Sequence, residues 1–92
     1  MSEIVVRIPA PLQAFAGGEH ELRVAPGTLA DVLHELGERY PQLVQRVMTP
    51  EGELRPFVNV FVGRANVRGL SGLATSVPGG EIVSILPAVA GG

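Results

Sequence analysis

The sequence predicts an α+β fold in which a mixed sheet of four to five strands carries one main helix on one face. Two observations predict the elements: several short segments alternate apolar and polar residues with the period of a strand, and one longer segment spaces its apolar residues as a helix does. A third is the composition, 46% hydrophobic and 17% charged residues, which is typical of a globular domain. At 92 residues we predict a single domain over positions 1–92.

Two strands are predicted near the start of the chain. Residues 4–8, IVVRI, and residues 20–24, HELRV, both alternate with period two. The segment between them, PAPLQAFAGG, is punctuated by proline and glycine and is predicted to be a loop. The order indicates a β-hairpin.

The main helix is predicted to follow Thr28, which is a favourable N-cap with Asp31 three residues later. Pro41 is expected to end it, because the residue before a proline is biased away from helical angles. A short second turn of helix fits before the PEGE turn at 50–53. The stripe that defines the main helix falls at i, i+3, i+4 and i+7: Leu29, Val32, Leu33 and Leu36.

Two further strands are predicted in the second half. RPFVNVFV, at 55–62, alternates most clearly, and EIVSIL, at 81–86, follows a glycine-rich stretch of turns that holds room for a short strand near 66–68. We expect the last strand to sit centrally in the sheet. One helix can cover only one face of a small sheet, so the other face is predicted to be open or bound by a partner.

The open face is predicted to carry an apolar patch for a partner protein, because exposed apolar patches mark interfaces. A loop that covers these side chains is the alternative. The patch consists of Phe57, Asn59, Phe61 and Leu86, with Ser84 on the same face.

Charge and residue content exclude several function classes. The net charge is −2 without a block of like charges, which disfavours nucleic acid and membrane surfaces. The chain has no cysteine and its seven basic residues are all arginine, so it offers neither a thiol nucleophile nor a lysine amine. His20 and His34 have no partners at metal-ligand spacing, so no metal site is predicted. We therefore expect a protein that is not itself an enzyme.

No targeting signal is evident in the sequence. The first residues lack a basic region followed by a long apolar run, and no segment has the ~18 consecutive apolar residues of a membrane span. The expected location is cytoplasmic.

The last six residues, PAVAGG, are predicted to form an extended flexible tail. Pro87 lacks an N–H, so the sheet is expected to stop there. Gly91 and Gly92 have no Cβ, and a backbone without Cβ atoms can enter a narrow tunnel and present its carboxylate to another protein. Transfer of AMP from ATP to Gly92 would make a mixed anhydride, which sulfide or a persulfide could convert to a thiocarboxylate. A tail that merely frays is the alternative.

Several stretches together resemble the ThiS/MoaD sulfur carriers, a family with the ubiquitin-like β-grasp fold. The resemblance spans essentially the whole chain and is carried by GTLADVL, FVNVFV and GGEIVSILPAVAGG. Within the family, RPFVNVFV, NVR, SGLAT and ILPAVAGG are most similar to the actinobacterial sulfur carriers of cysteine biosynthesis.

The resemblance implies a cycle in which partner enzymes perform the catalysis. An E1-like activating enzyme would use ATP to adenylate Gly92 and load sulfur, a PLP-dependent cysteine synthase would use the thiocarboxylate on an acceptor made from O-phosphoserine, and a JAMM-type zinc protease would release cysteine. ATP, PLP and zinc would thus belong to the partners. In this chain, Gly92 would supply the reactive carboxylate and Gly91 steric clearance. The docking segment would be formed by Leu86, Pro87, Ala88, Val89 and Ala90.

Two rival functions remain open from the sequence. The small subunit of molybdopterin synthase ends similarly and would donate the same sulfur to a pterin precursor. A ubiquitin-like modifier would instead be joined through Gly92 to lysines of other proteins.

Overall fold

The computed structural model describes residues 2–87 of the chain. The strands in this part are β1 (Ile4–Arg7), β2 (Glu21–Val24), β3 (Gly27–Thr28), β4 (Val58–Val62), β5 (Ala65–Asn66), β6 (Ser76–Val77) and β7 (Ile82–Pro87). The helices are α1 (Leu29–Arg39) and α2 (Pro41–Val47), with short 3-10 helices at Ala10–Ala16, Val67–Gly69 and Gly72–Ala74.

Five of these strands form one mixed sheet in the order β2-β1-β7-β4-β5. β1 and β7 are parallel, whereas β1–β2, β4–β7 and β4–β5 are antiparallel. β7 therefore lies in the centre, and the predicted hairpin, the mixed five-stranded sheet and the central last strand are confirmed. β3 and β6 form a separate antiparallel pair, with Gly27 opposite Val77, which the sequence did not predict.

The core lies between one face of the sheet and the helices. Val58 and Val60 of β4 and Val83 and Ile85 of β7 are buried, while their strand neighbours Asn59 and Leu86 are less so. The alternation predicted for both strands is therefore confirmed. From α1 the core takes the four residues of the predicted stripe: Leu29, Val32, Leu33 and Leu36.

Both ends of α1 are determined by local chemistry. The Thr28 hydroxyl accepts the Asp31 N–H at 3.2 Å, and the Asp31 carboxylate accepts the Thr28 N–H at 3.0 Å, which completes a capping box. The helix ends before Tyr40, whose φ of −137° lies outside the helical range, as expected for a residue that precedes proline. Pro41 then begins α2, which confirms the predicted second helix.

The segment predicted to be a loop between β1 and β2 is instead largely a 3-10 helix, Ala10–Ala16. Proline suits the first turn of a helix, because its φ is already near the helical value and it needs no N–H partner there. Leu12 and Ala16 are buried in the core and anchor the segment. Gly17, with φ at 65°, ends it. The loop prediction was wrong because it treated proline and glycine only as residues that interrupt secondary structure.

The short strand predicted near 66–68 lies slightly earlier, at Ala65–Asn66. The Asn66 side chain accepts the Arg68 N–H at 2.9 Å, and this cap turns the chain into the 3-10 helix Val67–Gly69.

The structure includes Pro87 in β7, one residue beyond the predicted strand 81–86. It lies opposite Val58. The Gly63 N–H donates to the Ile82 carbonyl at 2.8 Å, and hydrogen-bonded and non-bonded pairs alternate along antiparallel strands. By this alternation, Val58 and Pro87 form a pair without hydrogen bonds between them. Proline is tolerated at position 87 because β4 needs no N–H donor there.

Candidate functional site

The residues that lead into the C-terminal tail belong to β7, the central strand of the sheet. Val83 of β7 lies between Val6 of β1 and Val62 of β4. Ile85, opposite Val60, is 1% exposed. The chain therefore reaches Pro87 from a position that the core determines.

Five of the predicted tail residues lie outside the described residues: Ala88, Val89, Ala90, Gly91 and Gly92. Their assigned roles, with the reactive carboxylate of Gly92 first among them, stay predictions.

The structure places three of the four predicted patch residues, Asn59, Phe61 and Leu86, on one face of β4 and β7, whereas Phe57 lies in the turn before β4. Asn59 lies opposite Leu86, and Phe61 lies opposite Ser84. Phe57 is 53% exposed and Leu86 48%, whereas Asn59 and Phe61 are half-buried. The two exposed apolar side chains are thus not covered by a loop, and the role of the patch in partner binding stays a prediction.

A tight turn presents Phe57 at the start of β4. The Val58 N–H donates to the Arg55 carbonyl at 3.0 Å, and this closes the turn around Pro56 and Phe57. One nitrogen of the Arg68 guanidinium donates to the carbonyls of Arg55 at 2.8 Å and Val58 at 2.7 Å. Sequence reasoning missed Arg68, because nothing local to it indicates a contact with a turn ten or more residues away.

The described residues contain no cluster of three or more His, Asp or Glu side chains that could hold a metal ion. His34 is exposed and lies 3.9 Å from Glu38. Asp31 has its pKa lowered below 3.8, mainly because its carboxylate accepts the Thr28 N–H and also because of its contact with the Thr28 hydroxyl. These groups belong to the helix surface and the helix cap, and none lies on the sheet face that carries the patch.

Within positions 2–87, no helix has the length and apolar content needed to cross a membrane.

Full-length relatives match the chain in sequence and in fold. It is 40% identical over 91 residues to the sulfur carrier protein CysO of Mycobacterium tuberculosis, with 97% of this chain and 98% of that protein covered. The structure also matches the crystal structure of the Amycolatopsis orientalis BexX/CysO complex with a TM-score of 0.90 and 34% identity, covering 97% of this chain and 99% of that one.

A third relative is named as a protein modifier and not as a sulfur carrier. Small archaeal modifier protein 3 of Haloferax volcanii is 42% identical over 65 residues, which cover 71% of this chain and 70% of that protein.

The family assignment follows from the extent of the sequence match. Residues 6–92 match the ThiS family, so the match includes the central strand, the patch and the terminal glycine pair. With a sulfur carrier 40% identical over nearly the full length and a β-grasp sheet around a central last strand, the chain belongs to the ThiS family.

Proposed function

We propose that this chain is a sulfur carrier of cysteine biosynthesis, which holds sulfur as a thiocarboxylate on Gly92. The observation that carries the proposal is the match to sulfur carrier protein CysO, 40% identical over 91 residues. Because the family match extends to residue 92, the glycine pair is part of what the chain shares with that family.

The chemistry needs two steps, since a carboxylate is a poor electrophile. In the first, a carboxylate oxygen of Gly92 attacks the α-phosphorus of ATP, and pyrophosphate leaves. In the second, hydrosulfide attacks the acyl carbon of the adenylate, the carbon–oxygen bond to AMP breaks, and the thiocarboxylate forms with release of AMP and a proton. A persulfide donor requires in addition a thiol that reduces the resulting disulfide.

Partner enzymes perform these steps in the proposal. We assign adenylation and sulfur loading to an E1-like enzyme that uses ATP, sulfur transfer to a PLP-dependent cysteine synthase, and release of cysteine to a JAMM-type zinc protease. The carrier itself is a protein co-substrate without a cofactor. The solved complex of the Amycolatopsis orientalis carrier with BexX supports the view that such carriers act in complexes.

In the proposal, the folded core and the C-terminal tail have separate tasks. The core holds β7 in place up to Pro87, so the tail would start from a defined point. Beside that point, Phe57 and Leu86 offer apolar surface against which a partner can dock. In the proposal the partner grips this surface while Pro87, Ala88, Val89 and Ala90 lead Gly91 and Gly92 into its active site.

The test is the intact mass of the chain purified from its own host under non-reducing conditions. We expect a species in which one oxygen is replaced by sulfur, confined to the C-terminal fragment that ends at Gly92. Oxidation of one of the two methionines gives almost the same mass. A thiol-alkylating reagent distinguishes them, because a chain without cysteine should be alkylated readily only at a thiocarboxylate.

A matched pair of tail variants serves as the control. Gly91→Val adds bulk where the tail is proposed to enter a tunnel and should abolish alkylation, whereas Ala90→Gly should retain it. An unmodified terminus in the presence of the activating enzyme, ATP and a sulfur donor would contradict the proposal. An added cysteine on the tail would identify the pathway, and co-purification with the large subunit of molybdopterin synthase would favour the pterin alternative.

The second candidate function is that of a protein modifier, and the match to the Haloferax volcanii modifier favours it. Attachment would form an amide when the amine of a lysine on another protein attacks the acyl carbon of the Gly92 adenylate and AMP leaves. The test is the appearance of higher-mass conjugates that resist reduction and that the Gly91→Val variant fails to form. The chain contains no lysine, so each target lysine would carry one copy unless the α-amino group also reacts.

A further inference from the structure

A groove of about 440 Å³ opens beside Pro87, at the root of the tail. It lies where the 3-10 helix Ala10–Ala16, the end of α2 and the turn before β4 meet. Among the described residues that line it, two are arginines and none is acidic: Leu12, Gln45, Arg46, Arg55, Phe57 and Pro87. We propose that this groove docks an acidic, partly apolar segment of the enzyme that activates the tail, an inference that rests on the proposed function.

Arg46 is held in place by neutral groups. Its guanidinium carbon lies 3.6 Å from the centre of the Phe15 ring, and one of its nitrogens donates to the Gln42 carbonyl at 3.2 Å. Stacking on an aromatic face orients the guanidinium without neutralising its charge, and its remaining N–H groups lie at the edges of the plane.

Arg55 is also held by a neutral group. Two nitrogens of its guanidinium donate to the Gln45 carbonyl, at 3.0 and 2.8 Å. A carbonyl oxygen accepts hydrogen bonds but carries no full charge. The bonds therefore restrict the side chain and leave a positive charge that a carboxylate could pair with.

Neither guanidinium has a carboxylate within 4.0 Å among residues 2–87, whereas Arg7 pairs with Glu21 at 3.5 Å. Two fixed positive charges thus face one groove on a chain whose net charge is −2. Such a site is complementary to acidic groups, and because the arginines are already ordered, binding loses less side-chain entropy.

The apolar part of the groove lining indicates that the docking segment carries an apolar side chain beside its acidic group. Leu12 is buried beneath it, and Phe57, 53% exposed, stands at its side next to Pro87. A segment with Asp or Glu beside a large apolar side chain would satisfy both surfaces. Its position beside Pro87 would align the tail with the active site of the same enzyme.

The experiment measures binding of the full chain to the purified E1-like activating enzyme of the same host at several salt concentrations. The test variant is the double charge reversal R46E/R55E. The matched control is R23E/R64E, which changes the net charge equally at two exposed arginines away from the groove. Far-ultraviolet circular dichroism and thermal unfolding of each variant verify that it folds.

We expect R46E/R55E to weaken binding about tenfold or more and to flatten its salt dependence, while R23E/R64E changes the affinity by less than about threefold. An equal loss of affinity in both variants would show that net charge alone explains the effect, and this would overturn the proposal. An unchanged affinity of R46E/R55E would also overturn it. So would saturable binding of inorganic phosphate or ATP to the chain alone that R46E/R55E abolishes, because the groove would then be a small-anion site.

Thiocarboxylate formation, measured in parallel, separates this inference from the proposed function. Normal sulfur loading together with unchanged binding in R46E/R55E would refute only the groove. Arginine-dependent binding of a chain whose terminus is never modified would refute only the sulfur-carrier role.

Discussion

The Arg68 guanidinium donates a hydrogen bond to the carbonyl of Val58 at 2.7 Å, and Val58 is the residue of β4 that lies opposite Pro87. The same nitrogen donates to the Arg55 carbonyl, three residues earlier. One side chain therefore secures the turn that exposes Phe57 and the start of β4, opposite Pro87. It connects the 3-10 helix Val67–Gly69 to the proposed docking surface.

Replacement of Arg68 should destabilise the protein. Arg68→Met retains much of the side-chain length but removes both hydrogen bonds, so we expect the free energy of unfolding to fall by about 1–2 kcal/mol. Urea unfolding measures the loss. Arg64→Met is the control, because the structure gives Arg64 no side-chain hydrogen bond among the described residues. An equal effect of the two variants would show that Arg68 does not clamp the turn.

Adjacent residues of β7 should differ sharply in what they contribute. Ile85 is 1% exposed, so Ile85→Ala leaves a cavity and should lower the free energy of unfolding by about 2–5 kcal/mol. Leu86 points to the other face and is 48% exposed, so Leu86→Ala should cost less than about 1 kcal/mol. The same unfolding measurement applies to both, and comparable losses would contradict the assignment of faces.

Acid should weaken the capping box of α1. The pKa of Asp31 lies below its ordinary value of 3.8 in the folded protein, chiefly because its carboxylate accepts the Thr28 N–H. A lowered pKa means that the stabilisation is complete above the ordinary value and is lost as the pH falls through the folded one.

The measurement compares the native chain with Asp31→Asn, which cannot titrate at this position. We expect the difference in their free energies of unfolding to be constant near neutral pH and to change once the pH drops below the ordinary pKa. A difference that is the same from neutral pH to about pH 3 would show that the carboxylate does not carry this stabilisation.

Phe57 should affect partner binding and leave stability nearly unchanged. At 53% exposure its truncation opens no cavity, yet a large aromatic at the centre of an interface contributes strongly to affinity. We expect Phe57→Ala to weaken binding to the activating enzyme at least about tenfold. Leu70→Ala is the matched control, since Leu70 is 52% exposed on a different part of the surface. Similar losses in both variants would mean that exposed apolar area in general drives binding.

Much of the fold could be predicted from local patterns. Period-two alternation at 4–8, 20–24, 55–62 and 81–86 located the four longer strands of the sheet and, in β4 and β7, the buried faces. The apolar spacing from Leu29 to Leu36 and the N-cap at Thr28 located α1. Both signals depend only on residues within about two helical turns of each other, so they can be recognised in the sequence. The same alternation placed Asn59, Phe61 and Leu86 on the face opposite the core, but it also assigned Phe57 to that face, although Phe57 precedes β4.

What the sequence determined by itself was therefore the four longer strands, the helix α1, the buried faces of β4, β7 and α1, and the family resemblance. Only the tertiary structure decided the β3–β6 pair, the Arg68 clamp on Val58 and the groove that Arg46 and Arg55 share. Each of these features brings together residues that lie about ten or more positions apart in the sequence. The contacts are strand pairing or hydrogen bonds to backbone carbonyls, and neither leaves a repeating pattern in the sequence. A pattern that repeats within one element cannot specify which distant backbone group a side chain will reach once the chain has folded.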